Sequence, residues 1–361
     1  MTDIIYEKHK LTSFDKNYSA TVYLKSPDKY RKLEEDSIKN NSLISRGAGY
    51  SYVATSFKKD SLSIGMKNFN RILHFDEKQK LITVESGISF IEFLNFTLQF
   101  GLWIPQIPGY PFISIGGAVA SNIHGKSAAT HGTIRNAIEN ILIFHKIHGW
   151  INLSNNENKN IFDLTVGGHG LTGTIVNITL KLVDFEGFNI NTSVKKVSSI
   201  IETVDFIKNN KEKNDLVYSW NRIDTDFKNF GNGLIFCNKN DKTNKQNKNY
   251  LPRKIKPGKF NFFKNISPFC LWNKLSIKIL GKLYLNYYNF FKGKVYKDNF
   301  NNVVFPFFGK EIYFSLFGKR GFIESQILID YEKVELFIKS FKNLIDLYKP
   351  TITLFSIKGM S

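Results

Sequence analysis

Between Gly101 and Lys126 the chain reads GLWIPQIPGYPFISIGGAVASNIHGK, with Gly101, Gly109, Gly116, Gly117 and Gly125 set among small and β-branched residues. Glycine at this density serves backbone that turns tightly or that another group approaches closely. The rest of the stretch is mostly apolar, and its one charged residue, Lys126, stands at its end. A solvated linker would be polar throughout. The segment therefore reads as buried backbone folded around a ligand.

Two more glycine-punctuated turns flank it. Ser45-Arg46-Gly47-Ala48-Gly49-Tyr50-Ser51-Tyr52 follows the apolar pair Leu43-Ile44. Gly47 and Gly49 allow positive φ there, and successive N–H groups in such a turn form a nest for a phosphate. Val166–Gly173 (VGGHGLTG) runs into the β-rich segment Thr174–Val183. One GxG is weak evidence, but three glycine loops beside β-rich segments within one domain's length are much stronger.

The order RGxGxSY, GLWxPxxPG, GGAxAxxIHGK and VGGxGLTG resembles the vanillyl-alcohol-oxidase, or PCMH, type of FAD-binding fold. Within it the likeness is to the decaprenylphosphoryl-β-D-ribose 2-oxidase family, with sugar-lactone oxidases more distant. The motifs cover residues 43–183. The resemblance implies an α+β chain: a two-subdomain FAD-binding domain over 1–185, then an α+β substrate or cap domain with an antiparallel sheet over 186–361. It implies flavin contacts from Ser45, Arg46, Gly47, Ala48, Gly49, Tyr50, Ser51 and Tyr52, from Gly109, from Ser114, Ile115, Gly116 and Gly117, from Ser121, Asn122, Ile123 and His124, and from Ile175. Some relatives attach FAD through a histidine where this chain has Tyr50, so the expected FAD is non-covalent.

The implied chemistry is oxidation of a secondary sugar hydroxyl to a ketone, with hydride passing to the flavin N5, in cell-envelope glycan biosynthesis. Such a reaction needs a base or a polarising cation beside the reacting carbon. Tyr52, Gln326 and Lys358 match the family's substrate-facing residues; Tyr52 equally suits packing against its turn, and Lys358 a solvated chain end. The implied partners are a sugar substrate, including a lipid-linked one, and a short-chain reductase that reduces the ketone. The chain also departs from the pattern. Glu324 replaces a pocket glutamine, and Tyr313–Gly318 lacks the polar residues of a WNRLYG-like segment. A second lysine and a cysteine of the family would fall past Ser361, so a C-terminal portion is expected to be missing. Two other functions stay open: aldonolactone oxidation, and a truncated, non-catalytic flavin-binding protein.

Fifty basic against thirty-one acidic residues give a net charge of +19. Compositional drift toward lysine and attraction to an anionic membrane surface both account for it. Arg leads in base and phosphate recognition and is scarce here, which argues against nucleic acid. Apolar content of 42% excludes wholesale disorder. Cys237 and Cys270 form no CxxC pair and read as buried free thiols. His124, His131, His145, His148 and His169 show no metal-ligand spacing, so no metal is expected. The start MTDIIYEKHK lacks the apolar core of a signal peptide, and no apolar run spans a bilayer. The expectation is a cytoplasmic protein, soluble or peripheral at the inner membrane face.

Periodicity predicts a helix start at Pro27–Glu35, strands at Leu43–Ser45, Ser61–Ile64 and Lys80–Ser86, and a helix over Ile88–Phe100 stopped by Gly101. Ile138–Phe144 and Ile151–Leu153 suggest a hairpin, and Asp184–Gly187 a boundary. Beyond it, Ser198–Lys208 reads as helix, with Leu216–Ile223 and Gly233–Asn238 as strands. Asp241–Gly258 reads as a polar, basic loop. The basic, aromatic segment Pro268–Lys294 reads as one or two helices, able to lie in a membrane interface or serve as ordinary cap helices. Phe322–Ile329 reads as strand, Tyr331–Leu347 as helix and Thr351–Lys358 as a last strand.

Overall fold

A computed structural model describes residues 6–39, 43–224, 227, 229–241, 269–291 and 293–361. The fold is α+β and the chain divides into two compact units. The first contains residues 1–125, 133–185 and 321–323; the second contains 126–132, 186–320 and 324–361. Most of the loop expected at Asp241–Gly258 lies outside the described residues.

In the first unit, Glu7–Thr12 (β1) and Ser19–Lys25 (β2) form a hairpin whose sheet continues with Leu43–Arg46 (β3) and Leu62–Gly65 (β4), in the order β1-β2-β4-β3. β4 runs parallel to both β2 and β3. Helix Tyr30–Lys39 (α1) links β2 to β3. The second sheet is antiparallel, ordered Ile72–Asp76 (β5), Leu81–Glu85 (β6), Thr174–Lys181 (β10), Ile138–His145 (β8), Gly149–Leu153 (β9). Leu102–Trp103 (β7) pairs with Val183–Asp184 (β11). Leu33 of α1, Ile64 of β4, and Phe144 and Val176 of the antiparallel sheet form one buried cluster with Met66 and Phe69.

Local chemistry explains the helix Phe90–Thr97 (α2). Ser89 accepts from the Glu92 N–H, and Glu92 reaches back to the Ser89 N–H, which completes a capping box. Phe90, Ile91, Phe93 and Leu94 are buried, and Gly101 at φ +68° ends the following 3₁₀ turn. Ile115–Ala120 (α3) and Lys159–Thr165 (α5) complete this unit's helices among the described residues.

In the second unit, Asn189–Val197 (β12), Leu216–Asn221 (β13), Gly233–Asn240 (β14) and Val295–Asn299 (β15) form an antiparallel sheet ordered β13-β14-β12-β15. Ile200–Asn210 (α6) covers one face, with Ile207 against Val197, Val217 and Ile235. Lys274–Asn289 (α7) covers the other, with Leu285 against Val194, Leu234 and Phe236. The short helices Ala128–His131 (α4), Phe300–Val304 (α8) and Ile312–Ser315 (α9) and the longer Val334–Tyr348 (α10) follow the same chain order.

Three expectations change. Phe322–Ile329 joins no strand ladder among the described residues. Thr351–Lys358 is also not a strand, although the N–H groups of Ser219 and Asn221 in β13 donate to the Ile357 and Phe355 carbonyls at 3.0 and 2.9 Å. The return bond goes from Ile357 N–H to the Ser219 hydroxyl, which replaces the carbonyl that a ladder needs. Finally, Cys237 is buried, and its thiol is pushed up to about 11 by burial, but Cys270 is exposed in the segment entering α7.

Candidate functional site

The Ser45–Tyr52 turn leaves the end of β3 and meets the start of α3. A Cβ on Gly47 would stand 2.4 Å from Ser114 Oγ and 3.8 Å from Gly117 Cα, so glycine is what lets the two loops close together. Ser114 Oγ accepts from the Ala48 N–H at 3.3 Å and caps α3 at the Gly117 N–H at 3.4 Å. Only Gly49 adopts positive φ, at +82°; Gly47 is required for close approach instead.

Other cofactor candidates gather on the same framework. Ser45 Oγ lies 2.7 Å from Thr174 Oγ1, which ties the turn to β10, and buried Ile175 follows opposite Ile143 of β8. At the end of α3, Ser121 leads into Asn122, which holds φ +43°. The Gly167 and His169 N–H groups donate to the Val119 and Ala120 carbonyls, so the third glycine loop packs onto that end. The Ile123 carbonyl accepts from Ile134 N–H, and His124 bridges to Thr133. Gly109 is exposed, with nothing within 4 Å of a Cβ built on it, but its neighbour Tyr110 meets Tyr50 ring to ring at 5.0 Å. Tyr52 packs between Phe14 and Phe322, at 5.3 and 5.1 Å between ring centres.

This arrangement fits a flavin nucleotide. Among the described residues, the Gly47 and Gly49 N–H groups have no acceptor within the chain, which leaves them for diphosphate oxygens. Asn122 Oδ1 is buried without a hydrogen-bond partner among those residues. Such an oxygen carries a desolvation cost that a donor on a ligand would remove.

A second cluster lies within the second unit. The Val217 N–H of β13 donates to the Lys126 carbonyl at 3.1 Å, while Ser219, two residues on, donates to Ile357. Strand β13 thus sets Lys126 beside the segment carrying Lys358. The Lys126 ammonium donates to the Val303 carbonyl and lies 4.3 Å from the Tyr218 ring centre. Burial, and then the charge of Lys358, bring Lys126 down to about 7, with Asp298 opposing them. Burial also lowers Lys358, with the Glu324 carboxylate opposing it. Gln326 donates to Glu324 at 2.7 Å.

Of the residues expected to face substrate, Lys358 and Gln326 belong to the second unit and Tyr52 to the first. Lys126 is the residue that sequence reasoning overlooks. The signal was available: it is the only formal charge in the glycine-dense stretch. Among the described residues no group of three His, Cys, Asp or Glu side chains is placed to hold a metal, and no helix is long and apolar enough to cross a membrane.

The FAD binding domain family matches residues 19–145. Over 307 residues the chain is 27% identical to decaprenylphosphoryl-β-D-ribose oxidase of Mycolicibacterium smegmatis, covering 82% of this chain and 65% of that protein. Residues 19–145 thus match an FAD binding domain, and over most of its length the chain is similar to an FAD-dependent oxidoreductase of the PCMH type. The chain is also 23% identical to L-gulonolactone oxidase of Scyliorhinus torazame over 146 residues, 40% of this chain and 33% of that one. It is 26% identical to D-lactate dehydrogenase of Anaerostipes hadrus over 125 residues, 33% of this chain and 26% of the relative. It therefore spans 65% of the length of the first relative and a third or less of the other two. FAD is its cofactor.

Proposed function

We propose that this chain oxidises a secondary hydroxyl of a sugar to a ketone, on a polyprenyl-phosphate-linked sugar of the decaprenylphosphoryl-ribose type. When bound, FAD supplies the oxidising power, accepting the hydride that leaves the hydroxyl-bearing carbon. In this reading the Ser45–Tyr52 turn, Ser114–Gly117, Ser121–His124 and Ile175 hold the cofactor without a covalent bond. Similarity to the mycobacterial oxidase, over most of this chain, supports the substrate class.

One juxtaposition carries the chemistry: strand β13 holds buried Lys126 beside the segment that carries Lys358, and burial, followed by the charge of Lys358, brings Lys126 down to about 7. An amine that is largely neutral near physiological pH offers a lone pair for the hydroxyl proton as the hydride departs. Lys358, whose pKa burial lowers against the opposing Glu324 carboxylate, polarises the same oxygen while it is charged. Gln326 and Tyr52 are the further residues that the resemblance assigns to the substrate. The ketone then passes to a short-chain reductase, in cytoplasmic cell-envelope glycan biosynthesis.

The test is anaerobic reduction of the FAD-loaded chain. Bleaching by a polyprenylphosphoryl ribose, with none by an aldonolactone, supports the proposal. Bleaching by the lactone alone assigns lactone oxidation instead. A yellow protein that no sugar or lactone bleaches is a flavin-binding protein without this activity.

A further inference from the structure

Helix α7 has two apolar faces, and its own unit uses only one. Gly281 and Leu285 are buried, and Gly281 sits against the Trp220 and Arg222 side chains. At 100° per residue, the row Leu275, Ile279, Leu283 lies on the opposite side, where Phe290 extends it just past the last turn. These four side chains are 68%, 50%, 58% and 81% exposed. A helix that merely covers a sheet turns polar residues outward. Here the outward row is aliphatic and aromatic, and such an exposed apolar row marks a surface for docking.

Charge identifies the occupant. Lys274, Lys278 and Lys282 each precede a member of the apolar row, forming a parallel basic row on one flank, and α7 contains no acidic residue. Pairing this face with a second copy by two-fold symmetry would bring two lysine rows together, which like charges oppose. A helix with one aliphatic row and one lysine row instead matches a bilayer surface. The apolar side chains enter the acyl boundary while the lysines reach anionic headgroups. The net charge of +19 favours the same approach.

We propose that the outer face of α7 docks this protein on an anionic lipid surface, lying in the interface without crossing it. This stands on the helix alone and holds whether or not the sugar is lipid-linked.

The test is sedimentation of the full chain with phosphatidylcholine vesicles, with and without phosphatidylglycerol. The comparison is with the double variant Ile279→Ser, Leu283→Ser, which keeps every charge. Wild type is expected to bind the anionic vesicles at least about tenfold more tightly than the variant. Equal binding would show that diffuse charge suffices and would overturn the proposal, as would no binding by either. Concentration-dependent self-association, abolished in the variant and without vesicle binding, would assign the face to a second copy. Phe290→Trp gives an independent reading: brominated lipids in the anionic vesicles should quench its added fluorescence, and an unquenched tryptophan contradicts insertion.

Discussion

The Lys126 ammonium stands 4.3 Å from the centre of the Tyr218 ring and donates to the Val303 carbonyl, in surroundings that disfavour its charge. Its pKa in the fold is about 7, against about 10.4 for an unfolded lysine. Between these values the unfolded chain holds a proton that the folded chain has released, so stability should rise with pH from about 7 upward. Below that range both states are charged and the fold bears the full desolvation cost. Lys126→Met should therefore raise the melting temperature below pH 7 and flatten the rise above it. A rise of unchanged slope in the variant would show that another group titrates.

Gly47→Ala should weaken flavin binding at least about tenfold, because the added carbon would collide with Ser114 Oγ at 2.4 Å. Ser114 would have to turn away and give up its caps on Ala48 and Gly117, at about 1 kcal/mol for a lost helix cap. Flavin fluorescence titration of the apoprotein reads this directly. Unaltered affinity would mean that the turn does not form the cofactor site.

Tyr50 stands where some relatives of this fold have their attachment histidine. Acid precipitation should leave the pellet colourless and the flavin in the supernatant. A yellow pellet would reveal a covalent bond to another residue.

Glu85 is fully buried and receives hydrogen bonds from the Arg71 guanidinium at 2.6 and 3.0 Å and from Tyr30 at 2.7 Å. Burial pushes its carboxyl up, but the Arg71 and Tyr30 bonds outweigh this, and the net position lies below the usual range. Its contribution is thus present above the ordinary carboxylate value of about 4.3 and is lost as pH falls through the lower folded value. Glu85→Gln should cost about 2 kcal/mol at neutral pH, since Arg71 is mostly exposed and stays solvated. Urea unfolding with wild type and variant measures it, and a change below about 0.5 kcal/mol would count against the network.

Much of the local geometry of the candidate cofactor site was legible because its constraints are local. A glycine that permits close approach, as at Gly47, or a left-handed φ, as at Gly49, leaves its mark at one position. The Ser89–Glu92 capping box and the buried alternation of Ile82 and Val84 in β6 are local in the same way. β1 left no such mark, because EKHKLT buries none of its residues and takes its register from β2. Phe322–Ile329 shows the converse, since alternation reports two faces but supplies no partner strand. The Lys126–Lys358 relationship was hidden for a related reason. The two residues lie near opposite ends of the second unit's sequence and meet only because Val217 and Ser219 of β13 bind their segments two positions apart.

The central claim is that Lys126 accepts the substrate's hydroxyl proton. The most direct measurement is the pH dependence of the anaerobic flavin reduction rate by a polyprenylphosphoryl ribose, in wild type and in Lys126→Arg. Wild type should speed up as pH rises through about 7, where Lys126 becomes neutral. The arginine variant, charged throughout, should be slower by about 10²-fold or more and show no such rise. A variant that keeps both the rate and the wild-type pH profile would contradict the account.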